Sequence, residues 1–320
     1  MSTAVKAHNL ISHHLSITPY DVKWIPSSSR VCVVGASEVG TGKISIYGLE
    51  GKRLELKRET ETNTVLRCCT ITGHSRQIAT GDFDGQLQIW DSQRLDIPLI
   101  SFKAHQSIIN SIDSFDRFKD PQELVTGSRD GTVKVWDMRQ TEKPVLTIRS
   151  TKKANVDIWA VAYGRIQTEK VIAVGFEDGS LKLFHVGTSE YIWGTKMKDG
   201  ICSIDFVQDS LLVSTLSGAY TVELKSPSGK TTEIKTKFEK ETTLWSIRHM
   251  PQNPDYFTIA SGDGKLSTFN LNKTHTIDDI QELSLSKHPI ISLDYNRDKK
   301  GLYACTSFDQ TLRIGIVQSD

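Results

Sequence analysis

One turn signal recurs along this chain of 320 residues. A few β-formers and a small residue lead into Asp-Gly, and a second alternating run of β-formers follows. Residues 78–91 (IATGDFDGQLQIWD) and 124–137 (LVTGSRDGTVKVWD) are the cleanest copies, and 171–185, 257–271 and 302–316 are weaker ones. Asp-Gly suits a hairpin turn because both residues tolerate positive φ, so each copy reads as two antiparallel strands. Self-similarity with a period of about 45 residues overrides the two domains that length alone suggests, and points to a radial repeat. Such repeat proteins more often bind than catalyse.

Two rulers count the repeat. Glycine or its replacement at the second turn position runs Gly42, Gly85, Gly131, Gly179, Gly218, Gly264 and Gln310, at intervals of 43, 46, 48, 39, 46 and 46 residues. Upstream of each turn lies an apolar or small column: Val22, Cys69, Ile112, Val161, Ile204, Ile247 and Leu293. Both give seven. Each unit holds an inner, a middle and a third strand, and a fourth follows near 53–58, 97–102, 145–149, 191–195, 232–236 and 280–285. The seventh unit has no room for one after 312–317, and the stretch 5–16 can fill the vacancy. The expectation is an all-β, seven-bladed propeller with four-stranded antiparallel blades, a single domain over 1–320 in which 1–18 supplies the closing strand and lead-in. Pairing the chain ends removes an edge that would otherwise aggregate. Leu87, Ile89, Val133 and Val135 alternate with Gln86, Gln88, Thr132 and Lys134, as half-buried strands should, and no long helical stripe interrupts.

Lys+Arg and Asp+Glu number 39 and 38, so there is no global basic field for nucleic acid. Cys32, Cys68, Cys69, Cys202 and Cys305 stand in strand segments without metal-ligand spacing, and an odd number cannot form a complete disulfide set. They read as reduced, buried thiols. The start, MSTAVKAHNLISHH, lacks the charged and apolar regions of a secretory signal, and no run of roughly eighteen apolar residues could span a membrane. A cytoplasmic protein without cofactor or metal is expected, and the Asn272-Lys273-Thr274 sequon then reads as surface loop. Residues 35–43 (GASEVGTGK) miss the phosphate-loop spacing and read as a loose hairpin. His13-His14 reads as a surface pair, and 235–240 (KTKFEK) as a solvated connection.

In unit 3, His105, Thr126, Asp130 and Trp136 are spaced to form a side-chain hydrogen-bond chain that locks the turn to its strands. The same residue types could make a catalytic relay, but a relay is unique and this set recurs in part. Unit 2 keeps Thr80, Asp84 and Trp90 without the His; unit 7 has His288 and Asp309 with Cys305 and Gly315 in the other places. The set is read as structural. Two residues ahead of the apolar column comes a ring, Tyr20, Arg67, Asn110, Trp159, Cys202, Trp245 and Ile291, at the entry to the central channel. Its aromatics either fill the interior or anchor a partner together with Arg67, the residue types enriched at binding hot spots. Phe83, Arg129 and Phe308, each just before a turn Asp, are expected on the same face. The candidate protein-binding set is therefore Tyr20, Arg67, Phe83, Arg129, Trp159, Trp245 and Phe308. For a propeller hydrolase, the inner strands offer only Asp21 and Asp157 as channel carboxylates. The apolar run Tyr191-Ile192-Trp193 in an outer strand is expected to pack under neighbouring turns.

Trp90-Asp91 and Trp136-Asp137 are the dipeptides of WD-repeat propellers, which the chain resembles over nearly its whole length. Segments 80–84 (TGDFD), 126–137 (TGSRDGTVKVWD), 200–206 (GICSIDF), 247–253 (IRHMPQN) and 307–311 (SFDQT) are further similar to the WD-repeat dynein axonemal assembly factors. That resemblance implies a non-catalytic, co-chaperone-like adaptor in the cytoplasmic preassembly of axonemal dynein arms. It implies axonemal dynein chains as partners, together with a complex of RuvB-like ATPases, a PIH-domain protein and prefoldin-like subunits. Any ATPase activity would be theirs. The chain is expected to be a monomer when alone, with neither nucleic acid nor membrane as partner. The channel-mouth aromatics leave open an adaptor of another pathway, such as a ubiquitin-ligase substrate receptor or a histone-tail reader.

Overall fold

The structure is a computed structural model that describes residues 6–72, 76–114, 123–149, 156–224, 229–238, 241–271 and 281–318. The sequon at 272–274, the end of the 235–240 run and residues 5 and 280 of two expected strands lie outside them. After β1 (Lys6–His14), blade 1 contains β2 (Thr18–Ile25), β3 (Arg30–Ala36), β4 (Gly42–Glu50) and β5 (Arg53–Thr62). Blade 2 contains β6 (Leu66–Thr72), β7 (Gln77–Asp82), β8 (Gln86–Asp91) and β9 (Ile100–Lys103). Blade 3 follows with β10 (Ile109–Ser114), β11 (Glu123–Ser128), β12 (Thr132–Asp137) and β13 (Leu146–Arg149). Blade 4 has β14 (Ile158–Ile166), β15 (Glu169–Phe176), β16 (Ser180–His185) and β17 (Glu190–Lys196). In blade 5 these are β18 (Ile201–Val207), β19 (Ser210–Thr215), β20 (Ala219–Glu223) and β21 (Lys230–Glu233). Blade 6 has β22 (Leu244–Met250), β23 (Asn253–Ser261), β24 (Lys265–Asn270) and β25 (Gln281–Ser284). Blade 7 supplies β26 (Ile290–Tyr295), β27 (Leu302–Ser307) and β28 (Thr311–Gln318), and its fourth strand is β1.

The closing pair is antiparallel from Lys6↔Gln318 to His14↔Thr311. Just beyond it, Leu15 N donates to Gln310 O at 2.6 Å. Among the described residues the buried apolar side chains form seven clusters, and each is shared by two adjacent blades. The cluster between blades 7 and 1 joins Val22, Trp24, Val31 and Val33 to Leu302, Ala304, Leu312 and Ile314. A blade therefore has no core of its own, and stability is a sum of neighbour interfaces around a ring. Each fully buried Leu or Ile contributes about 1.5–3 kcal/mol to one of them.

The turns between second and third strands differ from the expected two-residue form. In blades 2, 3, 4, 6 and 7 a three-residue loop closes with an i→i+3 bond, such as Gly131 N to Ser128 O at 3.2 Å. Only the last loop residue has positive φ: Gly85 (80°), Gly131 (76°), Gly179 (80°), Gly264 (79°) and Gln310 (58°). The Asp before it keeps ordinary backbone, so this is a type I turn followed by one left-handed residue. Two marks of the glycine ruler fall elsewhere. In blade 1 the left-handed residue is Gly40 (85°), and Gly42 already lies in β4 opposite Ala36. In blade 5 Gly218 has no positive φ, and its carbonyl accepts Thr215 N at 2.8 Å.

Three further expectations are corrected. Thr132 is buried, not outward, because its hydroxyl donates to Asp130 Oδ1 at 2.6 Å. The fourth strands of blades 2 and 3 begin at Ile100 and Leu146, just past Pro98 and Pro144, which have no N–H to extend the ladder. In β17, Tyr191 packs on Phe184 with ring centroids 5.3 Å apart and Trp193 joins the core of blades 4 and 5, whereas Ile192 faces solvent.

Candidate functional site

All seven blades break register at the same place. The pairing of inner and second strands skips one residue between Pro19 and Asp21, Leu66 and Cys68, Ile109 and Ser111, Ile158 and Ala160, Ile201 and Ser203, Leu244 and Ser246, and Ile290 and Ser292. The skipped residues are Tyr20, Arg67, Asn110, Trp159, Cys202, Trp245 and Ile291, the ring singled out from sequence. A bulge leaves its extra residue outside the ladder and re-aims its side chain. Here all seven line the central channel, whose volume is about 990 Å3. The strand pattern of alternating faces could not show this, because a bulge is a defect in that pattern.

A second ring surrounds the first. The opening residue of each three-residue turn donates its backbone N–H to the carbonyl just ahead of its own inner strand: Phe83 to Val65, Arg129 to Ile108, Glu177 to Asp157, Leu216 to Gly200, Gly262 to Thr243 and Phe308 to Pro289. Each of these bonds is 2.8–3.0 Å long. Blade 1, with its longer loop, lacks this position. Phe83 and Phe308 come from the blades on either side and flank Tyr20, with centroids 5.7 and 6.2 Å from its ring. The guanidinium of Arg67 lies 5.7 Å from the Tyr20 centroid. Four candidate residues thus converge at blades 7, 1 and 2.

Trp159 and Trp245 line the opposite side of the channel, with Leu216 between their blades. The Trp159 ring lies on Gly200, where a Cβ would come within 2.5 Å of Cζ3. Arg129 stands apart from both sectors, its Nε 3.3 Å from Asp157. Burial pushes the Asp157 carboxyl up despite this pairing, as expected when the partner is 60% exposed. Burial also drives the Cys202 thiol up to about 12, so it is no nucleophile at neutral pH. Asn110 is committed to the neighbouring blade, donating to Ile158 O at 2.9 Å.

Deeper in the channel stand more carboxylates than the sequence reading counted. Asp113, Asp205 and Asp294 join Asp21 in the lining, and Asp157 is not part of it. Each accepts a backbone N–H from the next blade: Asp113 from Tyr163 (2.8 Å), Asp205 from His249 (2.8 Å), Asp294 from Trp24 (2.7 Å) and Asp21 from Cys69 (2.9 Å). They are interblade latches. Burial raises the Asp113 and Asp294 carboxyls. It would raise Asp21 too, but Lys23 at 2.8 Å together with hydrogen bonds from Cys69 N and the Ser292 hydroxyl outweighs it and holds that carboxyl low.

The unit 3 set forms one chain. Trp136 Nε1 donates to Thr126 Oγ1 (2.9 Å), which lies 2.7 Å from His105 Nε2, and His105 Nδ1 lies 3.0 Å from Asp130 Oδ2. These partners assign the proton to Nδ1 of a neutral imidazole. In blade 2, Trp90 reaches Thr80 at 3.1 Å, and Thr64 donates to Asp84 in place of a histidine. Among the described residues no three His, Cys, Asp or Glu side chains form a group able to hold a metal ion.

Comparison with known proteins agrees with this architecture. The WD domain, G-beta repeat family matches residues 55–91 and 97–137. A dynein axonemal assembly factor 10 of Danio rerio is 35% identical, with 99% of this chain and 98% of the relative aligned. The protein of that name from Homo sapiens is 34% identical over 98% of each chain, and the one from Chlamydomonas reinhardtii is 30% identical over 95% and 94%. The chain belongs to the dynein axonemal assembly factor 10 family of WD-repeat proteins.

Proposed function

We propose that this protein is a non-catalytic scaffold in the cytoplasmic preassembly of axonemal dynein arms. In this reading it is a co-chaperone-like adaptor that brings dynein chains to a complex of RuvB-like ATPases, a PIH-domain protein and prefoldin-like subunits. The observation that carries it is similarity over 99% of the chain to a dynein axonemal assembly factor, on a ring in which the channel aspartates Asp21, Asp113, Asp205 and Asp294 are each engaged by a neighbouring blade. A carboxylate that holds two blades together is not free to act as a general base, which favours scaffold over hydrolase. Affinity purification of the tagged full chain from ciliated cells should recover RuvB-like ATPases and axonemal dynein chains. Recovery of neither, with the protein folded and expressed, would sink the proposal.

A further inference from the structure

The two rings of the channel mouth are unequal around the axis. In the sector of blades 7, 1 and 2, Phe308 is 37% exposed and Phe83, Tyr20 and Arg67 are half-buried. Folding alone gives little reason to hold aromatic rings at turn tips, and the turns of blades 3 and 4 place Arg129 and Glu177 there instead. Arg67 is also unlike other cations near this face. Arg129 pairs with Asp157, Lys196 with Asp178, and Arg313 with Asp309, but among the described residues Arg67 has no acidic partner. Among the described residues its guanidinium meets the face of the Tyr20 ring, an interaction worth about 0.5–2 kcal/mol. A half-buried guanidinium at the edge of a protein-lined channel has lost much of its water and gains strongly from a carboxylate.

We propose that Arg67 and the Tyr20–Phe83–Phe308 sector form a docking site for an acidic, aromatic-bearing segment of a partner protein. A carboxylate of that segment pairs with the guanidinium, and an adjacent aromatic side chain packs on Phe308 and Phe83. The charge on Arg67 also decides against a cationic ligand: three rings near one another suit a methylated lysine, but a cation already covers the Tyr20 face. The proposal rests on the scaffold reading above, and names the chemistry that the site selects.

A random dodecapeptide phage library, panned on the full chain at physiological salt, tests it. Enriched peptides should combine Asp or Glu with Phe, Trp or Tyr. The strongest of them, made synthetically and labelled, should bind Arg67→Gln about 10- to 100-fold more weakly and Phe308→Ala about tenfold more weakly. Ile192→Ala, on an outer strand of blade 4, should bind as the parent does, and unchanged melting of each variant shows that the ring is intact. No enrichment, enrichment of neutral or basic peptides, or equal binding by Arg67→Gln would each overturn the inference. Because this measurement uses purified protein, its failure alongside successful recovery of dynein chains would reject the site and leave the scaffold reading standing.

Discussion

Blades 3 and 7 secure the same turn aspartate by opposite means. In blade 3, Asp130 is the end of a chain of neutral groups, and its histidine partner is 25 residues away on the connection from blade 2. In blade 7, Cys305 and Gly315 replace Thr126 and Trp136, and Asp309 instead meets the buried guanidinium of Arg313 at 2.6 Å, four residues along the same hairpin. Gly315 is where the reason lies. A Cβ there would come within 2.2 Å of the Tyr303 phenol and 2.5 Å of His8 O, so the space a Trp side chain takes in blade 3 is given to Tyr303 and the closing strand β1. A blade built from both chain ends cannot use the wide hydrogen-bonded set, and its lock becomes local and ionic. Ser286 Oγ, 2.8 Å from Asp309, keeps the tie to blade 6 that His105 makes to blade 2 in blade 3.

The difference predicts unequal costs for the same substitution. Asp309→Ala strands a buried cation, which should destabilise by about 3–5 kcal/mol. Asp130→Ala strands only neutral donors, and should cost about 1–3 kcal/mol. Both are measured by denaturant unfolding with the midpoint and slope compared. Equal losses would mean that the two locks are equivalent and that Arg313 finds other partners. The sharper version removes both charges: Asp309→Asn with Arg313→Met should recover much of the loss, whereas Asp130→Asn with His105→Leu should not.

How much of this was legible in the sequence follows from the range of each interaction. The blade count was open to reading because strand alternation and turn glycines are local signals, and the closing strand followed from an unfilled place in the count. Arg313 was passed over since it falls where blade 3 has Lys134, which instead reaches Ala104 O at 2.6 Å. The channel latches Asp113, Asp205 and Asp294 were missed because their partners lie 44 to 50 residues away, or across the chain ends. The mouth ring is open to reading by its offset from the apolar column, but the convergence of Tyr20, Phe83 and Phe308 joins turn residues of blades 2 and 7 to a bulge residue of blade 1, and no spacing encodes that.

Acid should separate the two locks further. Burial holds His105 below its ordinary value, so the unfolded chain takes a proton at pH near 6.5 that the folded chain refuses. Stability from this residue is complete above that pH and declines as pH falls toward the lower folded value. Asp309 behaves otherwise: burial pushes it up, but hydrogen bonds from Arg313, Ser307 and Ser286 outweigh that and hold it low. Its contribution is present above about pH 4 and is lost only below it. Melting temperature should therefore fall less between pH 7 and 5.5 in His105→Gln than in the parent, with Asp309→Asn showing the parental slope there. Parallel curves for parent and His105→Gln would show that His105 is not held neutral.

The smallest effect concerns the left-handed turn residue, glycine in blade 3 and Gln310 in blade 7. A side chain at φ 58° costs about 1–2 kcal/mol against its preferred backbone. Replacing it with glycine gives part of that back as unfolded-chain entropy, about 0.5–1 kcal/mol. Gln310→Gly should therefore stabilise by a few tenths to about 1 kcal/mol. The carbonyl that accepts Leu15 N and the amide that donates to Ser307 O both survive the change. Gly131→Gln should lose a similar amount in the hairpin of blade 3. If Gln310→Gly instead destabilises, the glutamine side chain contributes to closure, and the ionic lock of blade 7 is not acting alone.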